Sequence, residues 1–135
     1  MPSKRILVVD DDASIRRLVA TVLKRERYDV ETADGGEDAL AKLERNQYDV
    51  VVLDLMMPVV SGVDVLERLA NRHPLIKCVV IMSAVSRLEV AHAVTPNVFA
   101  ALRKPFELPE LINAVSGCID AGVQHGAYRS AATAA

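Results

Sequence analysis

Val50-Val51-Val52-Leu53-Asp54-Leu55-Met56-Met57 is a run of seven apolar residues interrupted once, by an aspartate. An unbroken apolar strand shows no inside–outside alternation. It is covered on both faces, the habit of a parallel sheet layered between helices. Asp54 is the anomaly in the run. Packing gives no reason for a carboxylate there, and burying one is costly unless it is paired or bound to a cation.

Working outward from this run, the same signature recurs. Ile6-Leu7-Val8-Val9 leads into Asp10-Asp11-Asp12, and Val79-Val80-Ile81-Met82 leads into Ser83-Ala84. Strands are predicted at 5–10, 29–33, 49–54, 77–82 and 98–102. The second, Val30-Glu31-Thr32-Ala33, alternates and belongs at a sheet edge. Amphipathic stretches separate them. Ile15, Leu18, Val19, Val22 and Leu23 share one face of a first helix, with Ser14 as its N-cap. Helices follow over 36–46 and from Ser61-Gly62 to before Pro74, then from about Ser86 to before Pro96. A last one has Pro109 in its first turn and its apolar pattern fades after Ile119. Five βα units in series make a doubly wound α/β fold, (βα)5, with a five-stranded parallel sheet and right-handed crossovers. Ligands of such sheets sit beyond the carboxyl ends of the strands.

That edge is where the chemistry-bearing residues fall. Asp10, Asp11 and Asp54 end the first and third strands, Ser83 the fourth and Lys104 the fifth. Carboxylates gathered without a cation repel one another, so a hard divalent ion is implied. Mg²⁺ suits, because it takes oxygen ligands and combines one or two carboxylates with phosphate oxygens. A hydroxyl and an ammonium facing that cluster are what a transferring phosphoryl group needs. Asp12, beside a helix start, is explained more simply as a charge favouring the helix dipole.

Composition narrows the alternatives. The chain has 135 residues, 51% of them hydrophobic, which suits one domain with a real core and excludes a disordered chain. Sixteen basic against 18 acidic residues give a net charge of −2, and three Tyr and two Phe are the only aromatics. This is neither the basic footprint of a duplex reader nor the stacking platform of a single-strand binder. Direct nucleic-acid binding is not expected. Cys78 and Cys118 lie in apolar segments and are read as core thiols of a reducing compartment. No segment looks like a signal peptide or a membrane span, so a cytoplasmic location with no membrane insertion is expected. His73, His92 and His125 have no ligand spacing. Gly35-Gly36 forms a turn into the second helix rather than a phosphate loop.

Four motifs, Ile6-Leu7-Val8-Val9-Asp10-Asp11-Asp12, Val52-Leu53-Asp54-Leu55-Met56-Met57-Pro58 with Gly62, Ser83-Ala84 and Lys104-Pro105-Phe106, stand in order at the strand ends. Over residues 4 to 120 the sequence resembles the receiver domain of two-component response regulators. The resemblance implies a flavodoxin-like sheet of strand order 2-1-3-4-5. It implies that Asp54 is the phosphoacceptor of a phosphorelay, not an enzyme's active group, and that it takes a phosphoryl group from a phosphohistidine. The donor would be a sensor histidine kinase or a phosphotransfer protein. Asp11, Asp54 and the backbone carbonyl of Met56 would hold Mg²⁺, with Asp10 assisting through a coordinated water. Lys104 would pair with the phosphoryl group, before a cis bond to Pro105, and Ser83 would bond a phosphoryl oxygen. Partner docking is implied around Ile15, Leu18, Pro105 and Phe106, although core packing is the simpler account of Ile15 and Leu18.

The chain departs from the family pattern where receivers transmit. The aromatic usual three residues before the lysine is Ala101, and the interval from Ser83 to Lys104 is slightly short. Asn97-Val98 stands where Gly-Ala is common, and Phe99, the nearby ring, is out of place by two positions. The usual coupling of hydroxyl and ring cannot operate in its standard form. Apolar Met56 and Val85, two positions beyond Asp54 and Ser83, predict slow loss of the phosphoryl group. Phosphorylation is expected to reshape residues 83–96 more than the last strand. The receiver is expected to fill residues 1–121, with 122–135 an Ala/Gly-rich tail, so the signal would leave by contact with an unknown downstream protein. Two other readings compete. One is a receiver-fold interaction module working independently of phosphorylation. The other is an aspartate-nucleophile phosphohydrolase using Asp10-Asp11-Asp12, which lacks a late acidic pair and leaves Asp54 unexplained.

Overall fold

Short apolar runs closed by charged or turn residues become strands, and the amphipathic stretches between them become helices. The computed structural model describes residues 3–72, 79–84 and 97–125. Its elements are β1 (Arg5–Val9), α1 (Ala13–Arg25), β2 (Asp29–Ala33), α2 (Gly36–Arg45), β3 (Val50–Asp54), α3 (Gly62–Arg72), β4 (Val79–Ser83), β5 (Val98–Arg103) and α4 (Leu108–His125). The strands form one sheet in the order β2-β1-β3-β4-β5, with every neighbouring pair parallel. This is the doubly wound architecture expected. β3 and β4, continuous apolar runs, are buried at every residue, whereas β2, which alternates in sequence, and β5, an apolar run that alternates in burial, form the two edges.

Strand alternation divides the core into two layers. Leu7, Val9, Val51 and Leu53 pack with Ala39 of α2 and Val65, Leu66 and Leu69 of α3. On the other face Ile6, Val8, Val50 and Val52 pack with Val19 and Leu23 of α1 and Leu111, Val115 and Cys118 of α4. Removing each large aliphatic side chain from water contributes about 1.5–3 kcal/mol. Burial pushes the Cys118 thiol up to about 12, as a core thiol requires.

Several boundaries differ from expectation. Asp12, not Ser14, caps α1: its carboxylate accepts from the backbone N–H groups of Ser14 (2.8 Å) and Ile15 (3.2 Å). An acidic cap answers both the orphan donors and the dipole, which a serine inside the first turn cannot do. Helix α4 continues through His125, past the fading of the apolar pattern at Ile119. The helix expected from Ser86, together with His73, Cys78, Val85 and His92, lies outside the described residues. Ser61 and Asp64 close the start of α3 reciprocally. The Ser61 N–H donates to the Asp64 carboxylate (3.0 Å), and the Asp64 N–H donates to the Ser61 hydroxyl (3.2 Å).

Edge strand β5 carries a bulge. Val98 pairs with Val79, but Ala100 pairs with Val80, leaving Phe99 as the extra residue. Phe99 lies over Gly117 of α4, where a Cβ would come within 3.3 Å of the ring. No described helix is long and apolar enough to cross a membrane.

Candidate functional site

Because all five strands run the same way, their last residues meet at one edge. Asp10, just after β1, is fully buried, and Asp54, the last residue of β3, is 3% exposed. Asp10 is held from several sides. Its backbone N–H donates to the Ala33 carbonyl (3.2 Å), which extends the β1–β2 ladder. One carboxylate oxygen accepts the Asp12 N–H (2.9 Å), and the other accepts from Lys104 Nζ (2.8 Å). Asp54 accepts the Met56 N–H (3.2 Å) on one oxygen and faces Lys104 Nζ at 3.5 Å with the other. Carboxylates of two strands therefore meet at one ammonium, supplied from 94 positions beyond Asp10.

Lys104 is delivered there by β5. Its own N–H donates to the Ser83 carbonyl (2.8 Å), locking the ends of β4 and β5 together. The bond to Pro105 is cis, as expected. Ser83 itself is buried at the end of β4, the strand beside Asp54. Asp11 stays exposed, yet Asp10, Asp11 and Asp54 each offer an oxygen within 4.8 Å of the others.

Charge at this edge is unbalanced. Burial, then the charge of Asp10, pushes the Asp54 carboxyl up to about 6, while the Met56 N–H and Lys104 pull it back. Burial alone would lower the Lys104 ammonium, but the hydrogen bond to Asp10 and the charge of Asp54 outweigh it, so its pKa rises. Among the described residues Lys104 alone pairs with these three carboxylates, too little to neutralise them, and the donors are all oxygen. The residues present fit a small hard cation.

The surrounding rim is partly apolar. Met56 is 61% and Val59 91% exposed, and Val59 adopts φ 67°, a left-handed conformation that a β-branched residue rarely takes. Gly62 opens α3 directly beneath Asp54, where a Cβ would lie 2.2 Å from the Asp54 carbonyl oxygen. Only a residue without a side chain lets α3 approach so closely.

Of the four docking residues, Leu18 and Pro105 are exposed, whereas Ile15 and Phe106 turn part of their surface to the α1–α4 core layer. Ala101 pairs with Ile81 and is exposed, and the bulge directs the Phe99 ring to α4 instead. One further residue of the site is not marked by the sequence. Arg16 Nη1 donates to the Asp10 carbonyl (2.8 Å) and fastens α1 to the end of β1. Nothing in the local sequence sets Arg16 apart from Arg17 beside it, because its acceptor belongs to another element.

Comparison with known proteins gives a consistent picture. The family model described as response regulator receiver domain matches residues 6–116. The transcriptional regulatory protein TrcR of Mycobacterium tuberculosis is 32% identical over 115 residues, covering 85% of this chain and 45% of its own length. Among solved structures, a CheY-like receiver domain protein of Methanospirillum hungatei has a TM-score of 0.85 at 26% identity, covering 92% of this chain and 99% of its own. Response regulator TrrA of Thermotoga maritima, in complex with Mg²⁺-BeF, has a TM-score of 0.77 at 34% identity, covering 85% and 98%. The chain spans about half or less of the length of the curated relatives it matches.

Proposed function

The chain belongs to the response regulator receiver domain family, and from that premise we propose how its own residues act. Asp54 is the phosphoacceptor of a two-component phosphorelay. One carboxylate oxygen forms the new P–O bond as the P–N bond of a phosphohistidine breaks. The electron pair leaves with the imidazole nitrogen of a sensor histidine kinase or phosphotransfer protein. The observation that carries this reading is Lys104 Nζ standing 2.8 Å from Asp10 and 3.5 Å from Asp54. An ammonium so held by carboxylates on two strands is positioned to pair with phosphoryl oxygens at Asp54. The Ser83 hydroxyl donates to a phosphoryl oxygen in the modified state.

Asp11, Asp54 and the Met56 carbonyl would hold Mg²⁺, supported by Asp10, and a cation there would offset the charge that builds on the transferring phosphoryl oxygens. Arg16 and the Asp12 N–H keep Asp10 in place. Leu18 and Pro105, with Ile15 and Phe106 behind them, form the docking surface for the donor. The receiver unit spans residues 1–121, acts in the cytoplasm, and passes its signal by contact with another protein rather than with nucleic acid. It works as a signalling domain without turnover of a substrate.

Acetyl phosphate with Mg²⁺ tests the reading without a partner. Intact mass should show one phosphoryl group on the wild type and none on Asp54→Asn or in EDTA. Equal labelling of Asp54→Asn would refute it. Ala101 favours a second reading, an interaction module indifferent to phosphorylation. Partner binding that is unchanged by acetyl phosphate would decide for it.

A further inference from the structure

Charge is distributed unevenly over the described helices. Helix α1 carries four basic residues, Arg16, Arg17, Lys24 and Arg25, and no acidic one. Helix α2 carries two basic and three acidic residues, α3 two of each, and α4 two acidic residues with no Lys or Arg. The whole chain is net −2, so α1 is a local reversal of its sign. Val19, Ala20, Val22 and Leu23 turn inward. The helical period then places Ser14, Arg17, Leu18, Thr21, Lys24 and Arg25 on one outer arc, and all six are exposed.

Lys24 and Arg25 also suit the dipole at the end of α1, which would explain them alone. Arg17 cannot be explained so. It lies in the unfavourable half of the helix, and among the described residues its guanidinium reaches only the Ala13 carbonyl (3.3 Å). Among the described residues, none of Arg17, Lys24 and Arg25 has an ion pair. On the same arc stands Leu18, half exposed, roughly 7–8 Å along the axis from the helix start and so close to the Asp10–Asp12 edge; Arg17 adjoins it, and Lys24 and Arg25 follow roughly 9–10 Å further along the axis. A large exposed apolar side chain flanked by cations along one helix face has the anatomy of an interface anchor with a charged rim.

We propose that the phosphohistidine protein serving this receiver presents an acidic surface to α1, its Asp and Glu side chains surrounding an apolar recess that takes Leu18. The inference rests on the phosphorelay reading above and adds the chemistry of the partner. Complementary charge would act mainly on the rate of encounter and on the choice among donors, since rim charges steer association.

The test is phosphotransfer from a panel of autophosphorylated histidine kinases to wild type and to the double variant Arg17→Glu/Arg25→Glu. Acetyl phosphate with Mg²⁺ serves as the donor that needs no docking. With the fastest kinase, the double variant should accept phosphate at least tenfold more slowly at low salt, the deficit shrinking as salt rises. Loading from acetyl phosphate should stay within twofold, which also shows that the variant folds. Transfer that is insensitive to charge reversal and to salt, or faster to the variant, overturns the acidic partner. Failure of wild type to load from acetyl phosphate and from every kinase overturns the phosphorelay reading itself.

Discussion

Asp54→Asn should stabilise the metal-free protein. Asp54 is buried beside Asp10, and its pKa rises from an ordinary 3.8 to about 6. A rise of about two units corresponds to roughly 3 kcal/mol of preference for the neutral form. Asparagine is neutral and its carbonyl still accepts the Met56 N–H. Lys104 keeps its shorter contact with Asp10 (2.8 Å). The net gain expected at pH 7.5 in EDTA is therefore about 2–3 kcal/mol, or about 1 M in the urea midpoint for a slope of about 1–3 kcal/mol per M. The pH dependence has a definite sign. Because the folded pKa lies above the unfolded one, the neutral form stabilises the wild type fully below about pH 4, and that contribution is lost as pH rises through about 6. The difference between variant and wild type should be near zero at pH 4, grow from there to pH 6 and level off above it. Saturating Mg²⁺ should shrink it, since the wild type gains more from the cation. Urea unfolding by circular dichroism from pH 4 to pH 8 measures all of this. A variant less stable than wild type at pH 7.5 in EDTA, or a gain independent of pH, would refute the reasoning.

Further outcomes follow from the same geometry. Lys104→Met strands the buried Asp10 charge and should cost about 3–5 kcal/mol in EDTA, partly recovered with Mg²⁺; the measurement is the same unfolding curve. Gly62→Ala places a Cβ 2.2 Å from the Asp54 carbonyl oxygen, so backbone must move. It should lose about 1–3 kcal/mol and slow acetyl phosphate loading, because the displaced group carries the acceptor. Asp12→Ala removes a cap and should cost about 1 kcal/mol while leaving phosphorylation at Asp54 intact, which separates Asp12 from its two acidic neighbours. Met56→Asn replaces an exposed apolar side chain beside the acceptor with one that can hold water, and the phosphoryl group should be lost faster, as followed by the decay of phosphorylated protein.

Much of this protein is legible in its sequence alone. Continuous apolar runs marked the central strands because parallel strands are covered on both faces, and the alternating Val30-Glu31-Thr32-Ala33 marked an edge because one side meets solvent. Asp54 stood out because a carboxylate in such a run has no packing rationale. Local rules succeeded wherever one element's own pattern carried the information. The order of the strands came with the family resemblance. Tertiary structure decided what depends on neighbours far along the chain. Asp12 takes the cap from Ser14 because Asp10 holds its N–H and sets the turn. Phe99 turns to Gly117 because the register of β5 slips against β4, a slip invisible in β5 alone. Arg16 reaches the Asp10 carbonyl only once α1 folds back along β1. The shared ammonium of Lys104 and the raised pKa of Asp54 come from burial and from charges brought within hydrogen-bond range, which residue identity alone cannot supply.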